Sequence, residues 1–124
     1  MKSGELNRLL DDSLTVDDFK AIIAGEVEDY RRLMDKRGST INLRLYEDEV
    51  VPLDKFKFRK LLDFVIDGRL SNIHLAYICD CLTMADNVTT DGKTKEMIFE
   101  IADPEINSGY LDKETLKNMS SKIQ

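Results

Sequence analysis

Twelve residues near the C-terminal end, "DPEINSGYLDKE" from Asp103 to Glu114, carry oxygen-bearing side chains at the first, third, fifth and twelfth places. That is nearly the outline of an EF-hand loop, which wraps a calcium ion in carboxylate and carbonyl oxygens. Such a loop needs glycine at its sixth place, where the backbone turns sharply, and a small aliphatic residue at its eighth. Here the sixth is Ser108, the glycine follows as Gly109, the eighth is Tyr110 and the second is Pro104. Asp112 reads as a helix cap, and Glu114 falls in the first turn, where its charge meets the positive end of the helix dipole. A helix stop, a tight loop and a helix start account for the same letters, and no second loop exists to pair with it. Calcium binding is the weaker alternative.

Cys79 and Cys81 are the two thiols and His74 the one imidazole. On a helix, cysteines two residues apart point about 200° away from each other, which suits neither a disulfide nor a shared metal. Reduced thiols in or near the core are expected. One His and one Cys fall short of a zinc site, so no metal is assigned. Nothing supplies a glycine-rich phosphate loop, and the pattern sets His74 on a helix beside core residues. Paired carboxylates occur without any sign of a cleft around them. An enzyme is not expected, nor any cofactor.

The carboxylates suggest a different chemistry. Asp63 and Asp67 stand four apart on one helix face, where like charges repel, close to the negative end of the dipole. Asp80 is the acid in the middle of an apolar helix. Asp86 and Asp91 flank the loop after it, and Glu96 and Glu100 repeat the four-residue spacing. Glu47, Asp48 and Glu49 form a separate knot. Read as charges the fold does not need, these ten residues are the candidate docking surface for a basic protein, with the knot as a second patch.

The elements that must position them are helical. Val16, Phe19, Ile22, Ile23, Val27, Tyr30 and Met34 follow three- and four-residue steps, predicting one long amphipathic helix after Thr15, with Gly38 as its stop. A local pattern then recurs, in which a leucine precedes a capping residue and a second apolar residue follows the cap by four. It appears as Leu14-Thr15 with Phe19, Leu53-Asp54 with Phe58, Leu70-Ser71 with Leu75, and Leu111-Asp112 with Leu116. This is the hydrophobic staple, which fixes the angle at which the chain enters a helix. It places helix starts near 15, 54, 71 and 112.

The helix after Asp54 shows Phe58, Leu61, Leu62, Val65 and Ile66 on one face and ends at Gly68. The helix after Ser71 is apolar around almost its whole circumference, as the centre of a bundle would be. A further helix, "KTKEMIFEIAD", offers Met97, Ile98 and Ile101 to the core, and a short one is expected over roughly 4–11. Ile41, Leu43 and Leu45 alternate with polar neighbours, so the stretch near 40–52 is extended or irregular. The expected fold is all-α, a single helical domain over 1–124 with five or six helices.

The 124 residues, 42% hydrophobic and 34% charged, suffice for one core and contain no apolar run long enough for a membrane span. The formal charge is −6. Residues 1–62 hold 12 basic against 13 acidic side chains, and residues 63–124 hold 6 against 11, so the surplus acid lies in the second half. Nucleic acid would be repelled and a basic protein attracted. The N-terminal residues carry charge where a signal peptide would be apolar, which makes the cytoplasm the expected compartment.

The segment "KLLDFVIDGRLSNIHLAYICDCLTMADNVT", followed by "EMIFEIADPEINSGYLDKETLKNM", resembles small bacterial immunity proteins encoded beside polymorphic toxins, including those of contact-dependent growth-inhibition systems. The likeness lies in a helix ending in "DGRLS", a helix running into an acidic loop, and "IFEIADPEIN" leading to a capped helix, over about residues 54–119. It implies a cytoplasmic antidote that binds one cognate basic toxin, often a nuclease. The alternative from another class is a general helical adaptor for a basic peptide or protein.

Overall fold

The computed structural model describes residues 1–34, 44–102 and 111–123. Six α-helices are present among them: α1 (Ser3–Leu10), α2 (Val16–Met34), α3 (Lys55–Ile66), α4 (Asn72–Met84), α5 (Gly92–Ala102) and α6 (Lys113–Ser121). Gly38, Ile41, Leu43 and loop residues 103–110 of the EF-hand-like stretch lie outside the described residues.

Each expected helix start carries its cap. Thr15 Oγ1 accepts from the Asp18 N–H at 3.1 Å, Asp54 Oδ1 from Lys57 at 2.8 Å, Ser71 Oγ from His74 at 3.2 Å and Asp112 Oδ1 from Thr115 at 2.9 Å. These bonds satisfy donors that the first helical turn leaves unpaired. The staple leucines sit in or against the core: Leu53 and Leu70 are buried with Phe58 and Leu75, while Leu14 and Leu111 are half-buried beside buried Phe19 and Leu116. Gly68, at φ +81°, ends α3 in the left-handed region that favours glycine.

α4 is the central element. Leu75, Ala76, Tyr77, Ile78, Cys79, Cys81 and Leu82 are all buried, so neighbours are needed on several sides. α2, α3 and α5 supply them, while α6 packs on α3 and α1 lies against α2 and α3. Both cysteines are free thiols inside this core. Burial pushes the Cys79 thiol up and that of Cys81 up to about 11, so both stay protonated and unreactive at neutral pH.

Three details differ from the sequence reading. Ile22 is 47% exposed, because the buried stripe of α2 narrows to Phe19, Ile23, Val27 and Tyr30. On α3, Ile66 is only half-buried and Phe64 takes a core position instead. The irregular segment also finds a strand partner: β1 (Val51–Pro52) pairs in parallel with β2 (Val88–Thr89), and Tyr46 bridges to Lys2. An extended stretch without a second strand nearby in sequence found one 37 positions later, in the turn between α4 and α5. The fold class remains all-α, with this small parallel pair at its edge.

His74 occupies the third position of α4, where its Nδ1 accepts from the Ser71 N–H at 3.3 Å and lies 2.6 Å from the Ser71 hydroxyl. A backbone N–H can only donate, so Nδ1 must carry a lone pair and the ring must be neutral. Burial, then the charge of Lys20 on α2, lowers its pKa. The neutral form is therefore favoured by folding, and its contribution is present above the ordinary value of about 6.5 and lost as pH falls below it. The melting midpoint should drop as pH is lowered from about 7 to 5, and His74→Gln, which keeps a capping acceptor without titrating, should flatten that slope in a pH series of thermal melts. Separately, Leu70→Ser removes a fully buried side chain at the start of α4 and should cost about 2–4 kcal/mol, read as a lower denaturant midpoint.

Candidate partner-binding surface

The structure divides the ten candidate acids by what their carboxylates touch. Five of them do structural work that the sequence reading did not foresee. Asp91 caps α5, accepting from the Thr94 N–H at 2.7 Å, and this bond holds its carboxyl below the usual range. Asp80 is half-buried and accepts from the Tyr30 hydroxyl at 2.8 Å, tying α4 to α2. Asp63 accepts from the Ser120 hydroxyl at 3.2 Å between α3 and α6. Asp48 accepts from the Gly4 N–H at 2.9 Å and the Ser3 hydroxyl at 3.1 Å, and the Gly4 bond chiefly lowers its pKa. Glu47 accepts from the Asn87 N–H at 2.8 Å.

The knot of Glu47, Asp48 and Glu49 is therefore a clasp as much as a patch. Asp48 caps α1 from 44 positions away, adding to the local bond in which Glu5 accepts from the Lys2 N–H at 2.9 Å. Glu49 stands 3.7 Å from Arg8 on α1, and its backbone carbonyl accepts from the Ser3 hydroxyl at 2.8 Å. A Cβ on Gly4 would come within 2.2 Å of the Glu49 carboxylate, so a side chain there would push this flexible carboxylate aside. Glu47, by bonding Asn87, brings this segment to the residue beside Asp86. The two patches, some 40 positions apart in sequence, thus meet at β2.

Asp67, Asp86, Glu96 and Glu100 stand exposed. Asp67 ends α3. Asp86 follows the last turn of α4, where helix carbonyls already concentrate negative charge. The carboxylates of Asp86 and Glu96 make no hydrogen bond or ion pair among the described residues. Glu96 and Glu100 share the outer face of α5 with Phe99, which is 49% exposed, and Met84 at the end of α4 is 69% exposed. From Asp80 to Ala102 the α4–β2–α5 hairpin holds five carboxylates against Lys93 and Lys95.

Beside these residues a cleft of about 390 Å³ runs between the end of α4, β2 and α5, lined by Leu82, Ala85, Val88, Ile98 and Phe99 with Thr83, Thr89, Thr90 and Lys95. The sequence reading does not foresee it, although Phe99 is an apolar residue set between charged Lys95, Glu96 and Glu100 on α5. A larger cleft of about 480 Å³ opens between the α1–α2 turn and the end of α3. Its Asp12 pairs with Lys60 at 2.6 Å and its Thr15 caps α2, so these groups are already engaged.

Among the described residues no group of three His, Cys, Asp or Glu side chains could hold a metal ion, and no helix is long and apolar enough to cross a membrane. No protein-family model, curated protein or solved structure matches this chain.

The division of acids has a direct test. Asp48→Ala and Asp91→Ala should each lower the melting midpoint, because each leaves backbone donors without an acceptor, whereas Asp86→Ala and Glu96→Ala should leave it close to where it is. A uniform response of all four variants would mean that the structural and exposed acids are not distinct.

Proposed function

We propose that this chain is a binding module that neutralises a basic protein partner, as an immunity protein holds its toxin. The observation that carries the reading is the α4–β2–α5 hairpin, which exposes the carboxylates of Asp86, Glu96 and Glu100 and the apolar side chains of Met84 and Phe99. Carboxylates at the C-terminal end of a helix, or four apart on one helix, cost a few tenths of a kcal/mol each in the free chain. A basic partner relieves that repulsion, and an aromatic anchor inside a polar rim is the usual composition of a protein-binding site. A nuclease carries a basic groove, and charge complementarity of this kind steers association. The resemblance over residues 54–119 supports the toxin as the class of partner.

The experiment co-expresses the chain with the product of the adjacent reading frame and measures growth and complex formation. Association should slow steeply as salt rises from about 50 to 500 mM, because the Debye length shrinks to a few ångströms. The triple change Asp86→Lys, Glu96→Lys and Glu100→Lys should abolish protection while the thermal melt stays intact. Full protection by that folded variant would overturn the reading.

A further inference from the structure

The register of the small parallel pair determines which backbone groups of β2 remain for another strand. Val51 donates its N–H to the Asn87 carbonyl at 2.8 Å, and Leu53 donates to the Thr89 carbonyl at 2.9 Å. Val88 is the residue opposite Val51. In a parallel ladder, a residue whose two neighbours serve the partner strand turns its own N–H and C=O to the opposite edge. Val88 therefore presents both groups away from β1. The cleft of about 390 Å³ lies on that side: Val88, Thr89 and Thr90 line it, together with residues of α4 and α5, and no residue of β1 does.

We propose that this outer edge of β2 receives an extended, basic segment of the partner as an added strand. Strand addition combines main-chain hydrogen bonds, which do not depend on the partner's sequence, with pockets that take alternate side chains. Here the Val88 N–H and C=O supply the bonds, and the groove of Leu82, Ala85, Ile98 and Phe99 takes an apolar side chain of the incoming strand. The alternate side chains face outward on the side of exposed Asp86, next to β2 in sequence, which asks for Lys or Arg at those places. The end of α4 adds its negative dipole to the same rim. A second copy of this chain would set like charge against like, so the occupant is a foreign basic segment. Lys95, also in the lining, sets a limit: the segment's basic residues lie nearer Asp86 than the α5 wall. With two residues in β2, the edge offers only about two bonds, short enough to avoid indiscriminate pairing.

The inference rests on the proposed function for the partner's charge, and the test separates the two. The probe is a ten-residue peptide alternating lysine with valine and threonine, blocked at both ends, titrated onto the full chain by nuclear magnetic resonance. Binding should protect the Val88 amide from exchange. The same peptide N-methylated at alternate residues keeps its charge but loses one row of donors, and should bind about five- to tenfold more weakly. Val88→Pro, which removes the outward N–H without touching the bonds to β1, should weaken the unmodified peptide to a similar extent. Retained protection of the Val51 and Leu53 amides reports that β1 and β2 are still paired in that variant. Should Val88→Pro fail to fold, the comparison of the two peptides on the unaltered chain decides.

Equal binding of both peptides, weakened only by the triple charge reversal, would overturn strand addition and leave the acidic surface standing. Sensitivity to N-methylation without sensitivity to charge reversal would keep the strand site and overturn the electrostatic reading. Absence of binding at millimolar peptide would overturn the strand site.

Discussion

A helix that is apolar on every side cannot rest against a single neighbour, and the rest of this structure answers that demand by α4. Its buried residues point in all directions, so α2, α3 and α5 must close around it. The few polar groups it takes inside have to be matched there as well. The Tyr77 hydroxyl donates to Glu26 at 2.7 Å, and the Glu26 carboxylate also receives the Met1 ammonium. Asp80 is met by Tyr30, whose ring stands edge-on to that of Tyr77 with centroids 5.3 Å apart. Burial, followed by the bond to Glu26, raises the Tyr77 pKa, so the phenol remains a neutral donor. The α2–α4 contact is thus apolar packing with a satisfied polar seam, and a buried seam of this kind fixes how the two helices register.

Sheathing α4 also shapes the surface. The chain leaves α4 at Ala85, makes the short β2 and returns at once as α5, so the last turn of α4 and the outer face of α5 end up side by side. The exposed carboxylates and the exposed Phe99 and Met84 thus belong to one hairpin of neighbouring elements. β1 covers one edge of β2 and leaves the other beside the cleft. The candidate surface is a by-product of the tight α4–α5 connection.

Capping runs through the molecule as a second rule, and it redistributes the meaning of its acids. An aspartate in front of a helix, such as Asp54, Asp91 or Asp112, is consumed by the donors of the first turn. One far away in sequence can be consumed the same way, as Asp48 is by α1. At the other end of α1, Lys60 reaches across from α3 to the Leu10 carbonyl at 3.0 Å and pairs with Asp12. Neither end of this eight-residue helix is secured by local sequence alone. Helices that short are marginal in water unless tertiary contacts hold them.

The helices, their order and four of their starts are legible in the residues alone, because staples and caps are interactions between residues one to five positions apart. Three- and four-residue apolar steps likewise named most of the core, from Phe19 and Ile23 to Leu61, Leu62 and Met97. Local spacing also settles, without reference to an ion, that Asp112 caps a helix. The pairings over long separations came only with the packing of the helices. The strand partner of Val51, the capping of α1 by Asp48 and the contact of Glu47 with Asn87 each join residues about 40 positions apart. No periodicity connects such residues, since their meeting depends on how helices cross. The same holds for the acids: spacing showed where like charges crowd, but the packed fold showed which carboxylates cap helices or join elements and which are exposed.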